Sequence, residues 1–317
     1  MSYSLPIADA PQSHTHMRRQ LAEPQPKICL CTLAEQLKLD QVTIIGNASG
    51  EWQPAAEGLT FIFNGTQWSQ QNAPQGQVVN IANGGFAESQ YAFEVQGHPQ
   101  AVQLAKALTQ VATELTASLG CWPSSGLTTV VLMLQLAKHV QVQRMSLLPS
   151  LRRSIELPDT HHLPCMVHNW LGERRIAKTL LRDRLDWPEF TLMPWEPMSK
   201  DCETDEVSET NSSENKQALF DNPFEQLELL RQSNLASSLS EKDKHRLRQH
   251  LAKLAHTPYH IWQQCADHSK LKASEPLFFN HLPESQTSPW YLMDYHASQY
   301  LDAIRHQLAC CQQQLAD

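Results

Sequence analysis

An α/β fold is predicted: a mainly parallel sheet with helices on both faces, followed by a C-terminal helical region. Three observations predict it. Short, β-branched apolar runs each stop at a Gly or Asn, as in Gln41-Val-Thr-Ile-Ile45, Leu59-Thr-Phe-Ile-Phe63 and Val78-Val-Asn-Ile-Ala82. Segments with apolar residues at helical spacing come after them. Beyond residue 217 the strand patterns give way to helical ones punctuated by Pro258, Pro276, Pro283 and Pro289.

Taken in order, residues 1–26 are polar and hold Pro6, Pro11, Pro24 and Pro26, which predicts a flexible lead-in. A short helix is expected over Thr32–Lys38. The three apolar runs follow, each short and unbroken as buried parallel strands are. A helix over Pro99–Leu119 places Val102, Leu104, Ala105, Leu108, Val111, Ala112 and Leu115 at helical spacing. After a Gly120–Gly126 loop, Leu127–Lys138 is a nearly all-apolar helix and so must be buried on most sides. Val140–Met145 is a strand, Trp170–Arg184 a helix, and Phe190–Met193 a closing strand. The nucleotide-binding α/β domain therefore spans 27–198. Residues 199–216, acidic and rich in Ser, Thr and Asn, read as a linker without the apolar surface to fold alone. Residues 217–317 carry helices near Pro223–Leu235, Glu241–Ala255 and Ser288–Gln314.

Composition narrows the function classes. The chain has 317 residues with 41% apolar and 18% charged, enough for a sizeable core. Its net charge of −8 argues against a partner that presents a phosphate backbone, so no nucleic acid is expected. No run of roughly 18 apolar residues exists to cross a membrane. Contact with a membrane surface is left open. The opening residues lack an apolar run behind basic ones, so no export signal is expected. The eight Cys are then expected as free thiols in a reducing, cytoplasmic setting. They form no CxxC pair, and no metal site is expected.

Four short constellations carry the candidate chemistry. The first strand runs into Gly46-Asn47-Ala-Ser49-Gly50, where small residues let a backbone approach a ligand and the side chains offer hydrogen bonds. The second strand ends at Asn64-Gly65, an Asn at the same sheet end or simply a turn. Ser124, Ser125 and Gly126 open an apolar helix, whose N-terminus suits a phosphate; the same serines also suit a helix cap. His168 precedes a helix with Glu173 about one turn on, a spacing that suits a general base and the carboxylate that orients it.

In this order the four resemble the sialyltransferases. That family carries a strand ending in Gly-Asn, then a strand ending in Asn, then Pro-Ser-Thr-Gly opening an apolar helix, then His-x-x-x-x-Glu. Val42–Asn64, Pro123–Met145 (with Ser125 in place of Thr) and His168–Glu173 are similar to these, and together they cover about half the chain. The resemblance implies a Rossmann-like domain of the GT-A-variant kind and an inverting transfer of sialic acid or a related acidic sugar from a CMP-activated donor to a glycan hydroxyl. Neither metal nor cofactor is implied. Asn47, Ser49 and Asn64 would contact the donor's phosphate and ribose, with Gly46 in the same loop. Ser124, Ser125 and Gly126 would hold CMP, and His168 would deprotonate the acceptor. The family's aromatic, His-rich motif has no counterpart here. Arg152 and Arg153, or His161 and His162, are the candidates to neutralise the leaving phosphate instead. That gap keeps open an alternative: a non-catalytic nucleotide- or partner-binding protein on the same scaffold.

Overall fold

The structure, a computed structural model, describes residues 27–48, 50–65, 78–83, 92–149, 151, 167–195, 222–233, 239–280 and 289–315. The expected lead-in (1–26) and linker (199–216) lie outside the described residues, as do Ser49, Arg152, Arg153, His161 and His162. The chain divides into two compact units. The first comprises Met1–Leu147 and Thr179–Phe190, the second Leu148–Lys178 and Thr191–Asp317. The division does not follow the expected boundary at residue 198, because residues 148–178 group with the C-terminal helices.

The first unit is α/β. Its strands are β1 (Leu39–Ile45), β2 (Leu59–Phe63), β3 (Val78–Asn83), β4 (Phe93–Gln96), β5 (Ala137–Gln143) and β6 (Leu185–Asp186). They form one six-stranded sheet in the order β4-β3-β2-β1-β5-β6. Every pairing is parallel except β3 with β4. Val42, Ile44 and Ile45 of the central β1 are fully buried, and so are Ile62 on β2 and Ile81 on β3. That burial is why these strands read as unbroken apolar runs rather than alternating ones.

Helices α1 (Leu30–Leu37), α2 (Ala101–Leu119) and α3 (Ser125–Leu136) flank the sheet. α1 and α2 both pack on α3, α2 packs on β4, and α3 lies against β1 and β5. Among the described residues no helix forms between β1 and β2. Pro54 lacks an amide donor, Ala55 N–H is taken by the Thr60 hydroxyl at 2.9 Å, and Gly58 turns the chain at φ 79°. At Gly58 an added Cβ would run into the Gln41 carbonyl.

Several expected elements differ, two of them next to the sheet's last strand. The helix from Trp170 ends at Leu180 rather than Arg184 (α4, Trp170–Leu180), because Arg184 joins the sheet ladder by accepting Val140 N–H at 2.9 Å. The closing strand is β6, not Phe190–Met193. Pro188, which cannot donate to a ladder, starts a 3-10 turn over Pro188–Phe190 that stacks Phe190 on Trp187 at 5.2 Å between centroids.

The second unit is helical beyond α4. It contains α5 (Pro223–Ser233), α6 (Glu241–Ala255), α7 (Tyr259–Cys265), α8 (His268–Ser274), α9 (Trp290–Met293) and α10 (Tyr295–Gln314). Trp262, Leu251, Ile304 and Leu308 are fully buried in its core, and Leu171 of α4 joins the same cluster. The single helix expected over Ser288–Gln314 breaks at Asp294. Asp294 is extended (φ −86°, ψ 128°) and caps α10 by accepting Ala297 N–H at 2.9 Å. Its carboxylate also meets Arg248 of α6 at 2.7 Å. No helix of the described residues is long and apolar enough to cross a membrane.

The thiols divide by burial. Cys310 and Cys311 sit inside α10, and burial pushes them up to about 11 and about 12. Cys29 is exposed, and hydrogen bonds from Thr32 hold its thiol below the usual range. Iodoacetamide near neutral pH is expected to modify Cys29 in the native chain and to spare Cys310 and Cys311 until it unfolds. Native-state labelling of Cys310 or Cys311, read by peptide mass spectrometry, would contradict the packing of α10.

Candidate functional site

In the first unit the candidate crevice lies at the carboxyl ends of β1 and β5. The sheet grows from β1 in two directions, through β2 on one side and β5 on the other. Open α/β sheets bind ligands at such a switch point.

The loop after β1 is stitched to the segment after β5. Gly46 N–H donates to Gln143 O at 2.8 Å, and Ala48 N–H to Arg144 O at 3.3 Å. In return, Arg144 donates from Nε to Ala48 O at 2.8 Å and from Nη2 to the same oxygen. Gly46 is small because of this approach: an added Cβ would overlap the Arg144 carbonyl oxygen and lie 2.7 Å from Met145 Cβ. The sequence reading assigned that smallness to a ligand; here the neighbouring chain accounts for it. Gly46→Ala is therefore expected to cost about 2 kcal/mol or more, since backbone must move. Urea unfolding measures this, and an unchanged midpoint would contradict the close approach.

The entrance to α3 meets the same segment. Ser124 caps the helix by accepting Leu127 N–H at 3.2 Å. Thr128 and Thr129 hydroxyls return to the Ser124 and Ser125 carbonyls, each at 2.8 Å. Ser125 is only 7% exposed and its hydroxyl has no hydrogen-bond partner. Gly126 packs directly against the Met145 thioether. Gly46 and the Ser124–Gly126 turn are thus brought together, with Met145 between them. Asn47 is exposed in the first loop.

Asn64 realises its turn reading. It adopts a left-handed φ of 52°, and its side-chain oxygen accepts Asn83 N–H at 3.1 Å. Its own N–H donates to Ile81 O at 3.0 Å, which ties the end of β2 to β3. The sequence expected this carboxamide to serve a ligand; the oxygen serves the neighbouring strand instead.

His168 and Glu173 belong to the second unit. Asn169 caps α4, accepting Gly172 N–H on its side chain at 2.9 Å and Glu173 N–H on its carbonyl at 2.8 Å. This winds the chain so that Glu173 Oε1 stands 4.0 Å from His168 Nδ1. The Glu173 side chain is fully buried and that of His168 is 19% exposed, with the Trp170 ring edge-on to the imidazole at 5.0 Å. At 4.0 Å the carboxylate and the imidazole are within ion-pair reach but beyond hydrogen-bond distance.

Asn169 has a second tie that the sequence did not reveal. Its Nδ2 donates to Glu275 Oε2 at 2.9 Å, and Glu275 also takes Arg175 through Nε at 2.7 Å and Nη2 at 3.1 Å. An added Cβ at Gly172 would lie 2.5 Å from Asn169 Nδ2 and 2.9 Å from Glu275 Oε2, so glycine makes room for this network. Asn followed three residues later by Gly was the only sequence signal for it. Next to it Arg174 is almost wholly buried, and desolvation lowers it to about 10.

A cavity of about 300 Å³ opens elsewhere in this unit, between α5 and α8, lined by Phe224, Leu227, Arg231, Lys270 and Leu277. None of the expected site residues lines it. Among the described residues no group of His, Cys, Asp or Glu is arranged to hold a metal ion. No protein-family model, no curated protein and no solved structure matches the chain.

Proposed function

We propose that the chain is an inverting, metal-independent glycosyltransferase of the sialyltransferase type, with a Rossmann-like, GT-A-variant domain, which moves an acidic sugar from a CMP-activated donor to a glycan hydroxyl. One observation carries this reading: Gly46 and the Ser124–Gly126 helix entrance converge at the switch point of the sheet, where Ser125 keeps a buried hydroxyl without a partner. Helix N-termini at such places favour phosphates. In this reading Gly46, Asn47, Ser124, Ser125 and Gly126 take the CMP portion, joined by Ser49. Asn64 contributes its amide group, since its oxygen is engaged. Arg152 and Arg153 remain candidates through the resemblance alone.

The resemblance assigns His168 the proton of the acceptor hydroxyl, with Glu173 as the residue that orients or caps its turn. The acceptor oxygen attacks the anomeric carbon, CMP leaves, and the configuration inverts.

The test is nucleotide-dependent stabilisation. A ligand that binds only the folded chain raises its melting temperature by mass action. CMP is expected to raise it and UMP and AMP are not. Equal responses to all three, or none, would sink the reading. The missing aromatic, His-rich motif favours a second reading, a non-catalytic nucleotide- or partner-binding protein on the same scaffold. Tight CMP binding with no transfer or donor hydrolysis across a panel of CMP-sugars and glycans would select it.

A further inference from the structure

We propose that Arg144 is the phosphate-binding residue of the first unit's crevice, its guanidinium meeting a phosphoryl oxygen of the nucleotide beside the Ser125 hydroxyl. The inference rests on the nucleotide reading above and adds the group that receives the phosphate charge, a role for which the sequence offered Arg152 and Arg153, or His161 and His162.

Arg144 leaves the carboxyl end of β5, next to β1. Its half-buried guanidinium is tied to the loop after β1, where Nε and Nη2 both donate to Ala48 O. The third nitrogen, Nη1, is buried and has no acceptor. Arginine does not lose its proton in proteins, so a buried donor edge without a partner marks a missing acceptor. A phosphate oxygen meets that need better than a neutral carbonyl, because the bond is charge-assisted.

The backbone supports the same conclusion. Arg144 holds a left-handed φ of 55°, and so does Leu147 three residues on. Long side chains rarely adopt this conformation, and it persists only where the surroundings over-determine it. They do here. Arg144 N–H is held by Glu189 Oε1 at 3.0 Å, and Met145 O accepts Trp187 Nε1–H at 2.6 Å. A turn with no task for its side chain would be served by glycine.

The second donor is independent. Ser125 opens a twelve-residue helix, is 7% exposed, and keeps an unpartnered hydroxyl. Met145, the residue after Arg144, touches the adjacent Gly126. One phosphate at this point would gain a guanidinium, a hydroxyl and the positive end of α3. Met145 is the flexible cover that an entering phosphate displaces, since a thioether side chain reorients readily.

The test compares CMP, cytidine and inorganic phosphate by calorimetry on the full chain and on the Arg144→Gln and Arg144→Lys variants. The wild-type chain is expected to bind CMP more tightly than cytidine. Arg144→Gln is expected to weaken CMP about ten- to a hundredfold, the worth of a charge-assisted hydrogen bond, and to leave cytidine unchanged. Arg144→Lys keeps the charge, loses the fork, and should fall between them. It also serves as the folded comparison if Arg144→Gln melts early. CMP binding at wild-type strength in either folded variant overturns the inference while the nucleotide reading stands. Phosphate binding that is lost in Arg144→Gln, with no response to any nucleotide, sustains the anion site and sinks the nucleotide reading. A wild-type chain that binds none of the three ligands ends both.

Discussion

Alanine in place of Glu275 is expected to destabilise the second unit by about 3 kcal/mol, the lower end of the cost of breaking a buried ion pair. The carboxylate is 6% exposed and receives three donors, two from Arg175 and one from Asn169. Removing it takes away the acceptor that the Asn169 amide and the Arg175 guanidinium share. The lower end applies because the Arg175 side chain is 30% exposed and water can take over part of its need. Glu275→Gln keeps the volume and an acceptor, so a loss of about 1 kcal/mol is expected. Urea unfolding followed by circular dichroism separates the two. If Glu275→Ala costs less than Glu275→Gln, the network is not what holds the start of α4.

The largest functional effect is expected at His168. Removing a general base typically costs about 10²- to 10⁴-fold in rate. His168→Ala should therefore lose transfer from CMP-sugar by that factor while its response to CMP in a thermal-shift assay stays as it was. Glu173→Gln should lose less, since the imidazole would remain but lack its orienting charge. A His168→Ala chain that transfers within about threefold of wild type would remove the imidazole from the reaction, because general-base loss is never that mild.

Several elements were legible because local and tertiary signals agree. β2 is Leu59–Phe63 as read, and α6 is Glu241–Ala255 as read, the latter capped by Ser240 taking Asp243 N–H at 3.2 Å. β1, β3 and α2 differ from expectation only at their ends. β4 was missed: four residues alternate too briefly to signal, and the pairing with β3 is set by Gly97, whose turn packs against Val78 O. α7 and α8 are seven residues each, too short for a helical period to show. In the site, His168 and Glu173 were readable together because they are close in sequence, His168 just before α4 and Glu173 in its first turn. Arg144 was not. Its value comes from Ala48 and Glu189, which are far along the chain, and no spacing rule links an arginine at a strand end to a carbonyl in another loop. Asn64 stands at the expected strand end, and its side-chain oxygen already accepts Asn83 N–H.

One consequence follows from how the polypeptide threads its two units. Lys178 closes one piece of the second and Thr179 opens the second piece of the first, inside the single helix Trp170–Leu180. No single scission therefore separates the two units with both left whole. Ending the chain after Trp195 would leave Leu171 stripped of Leu308 and the rest of its apolar neighbourhood. A deletion that looks like removal of a tail takes away nearly all of the second unit's hydrophobic core.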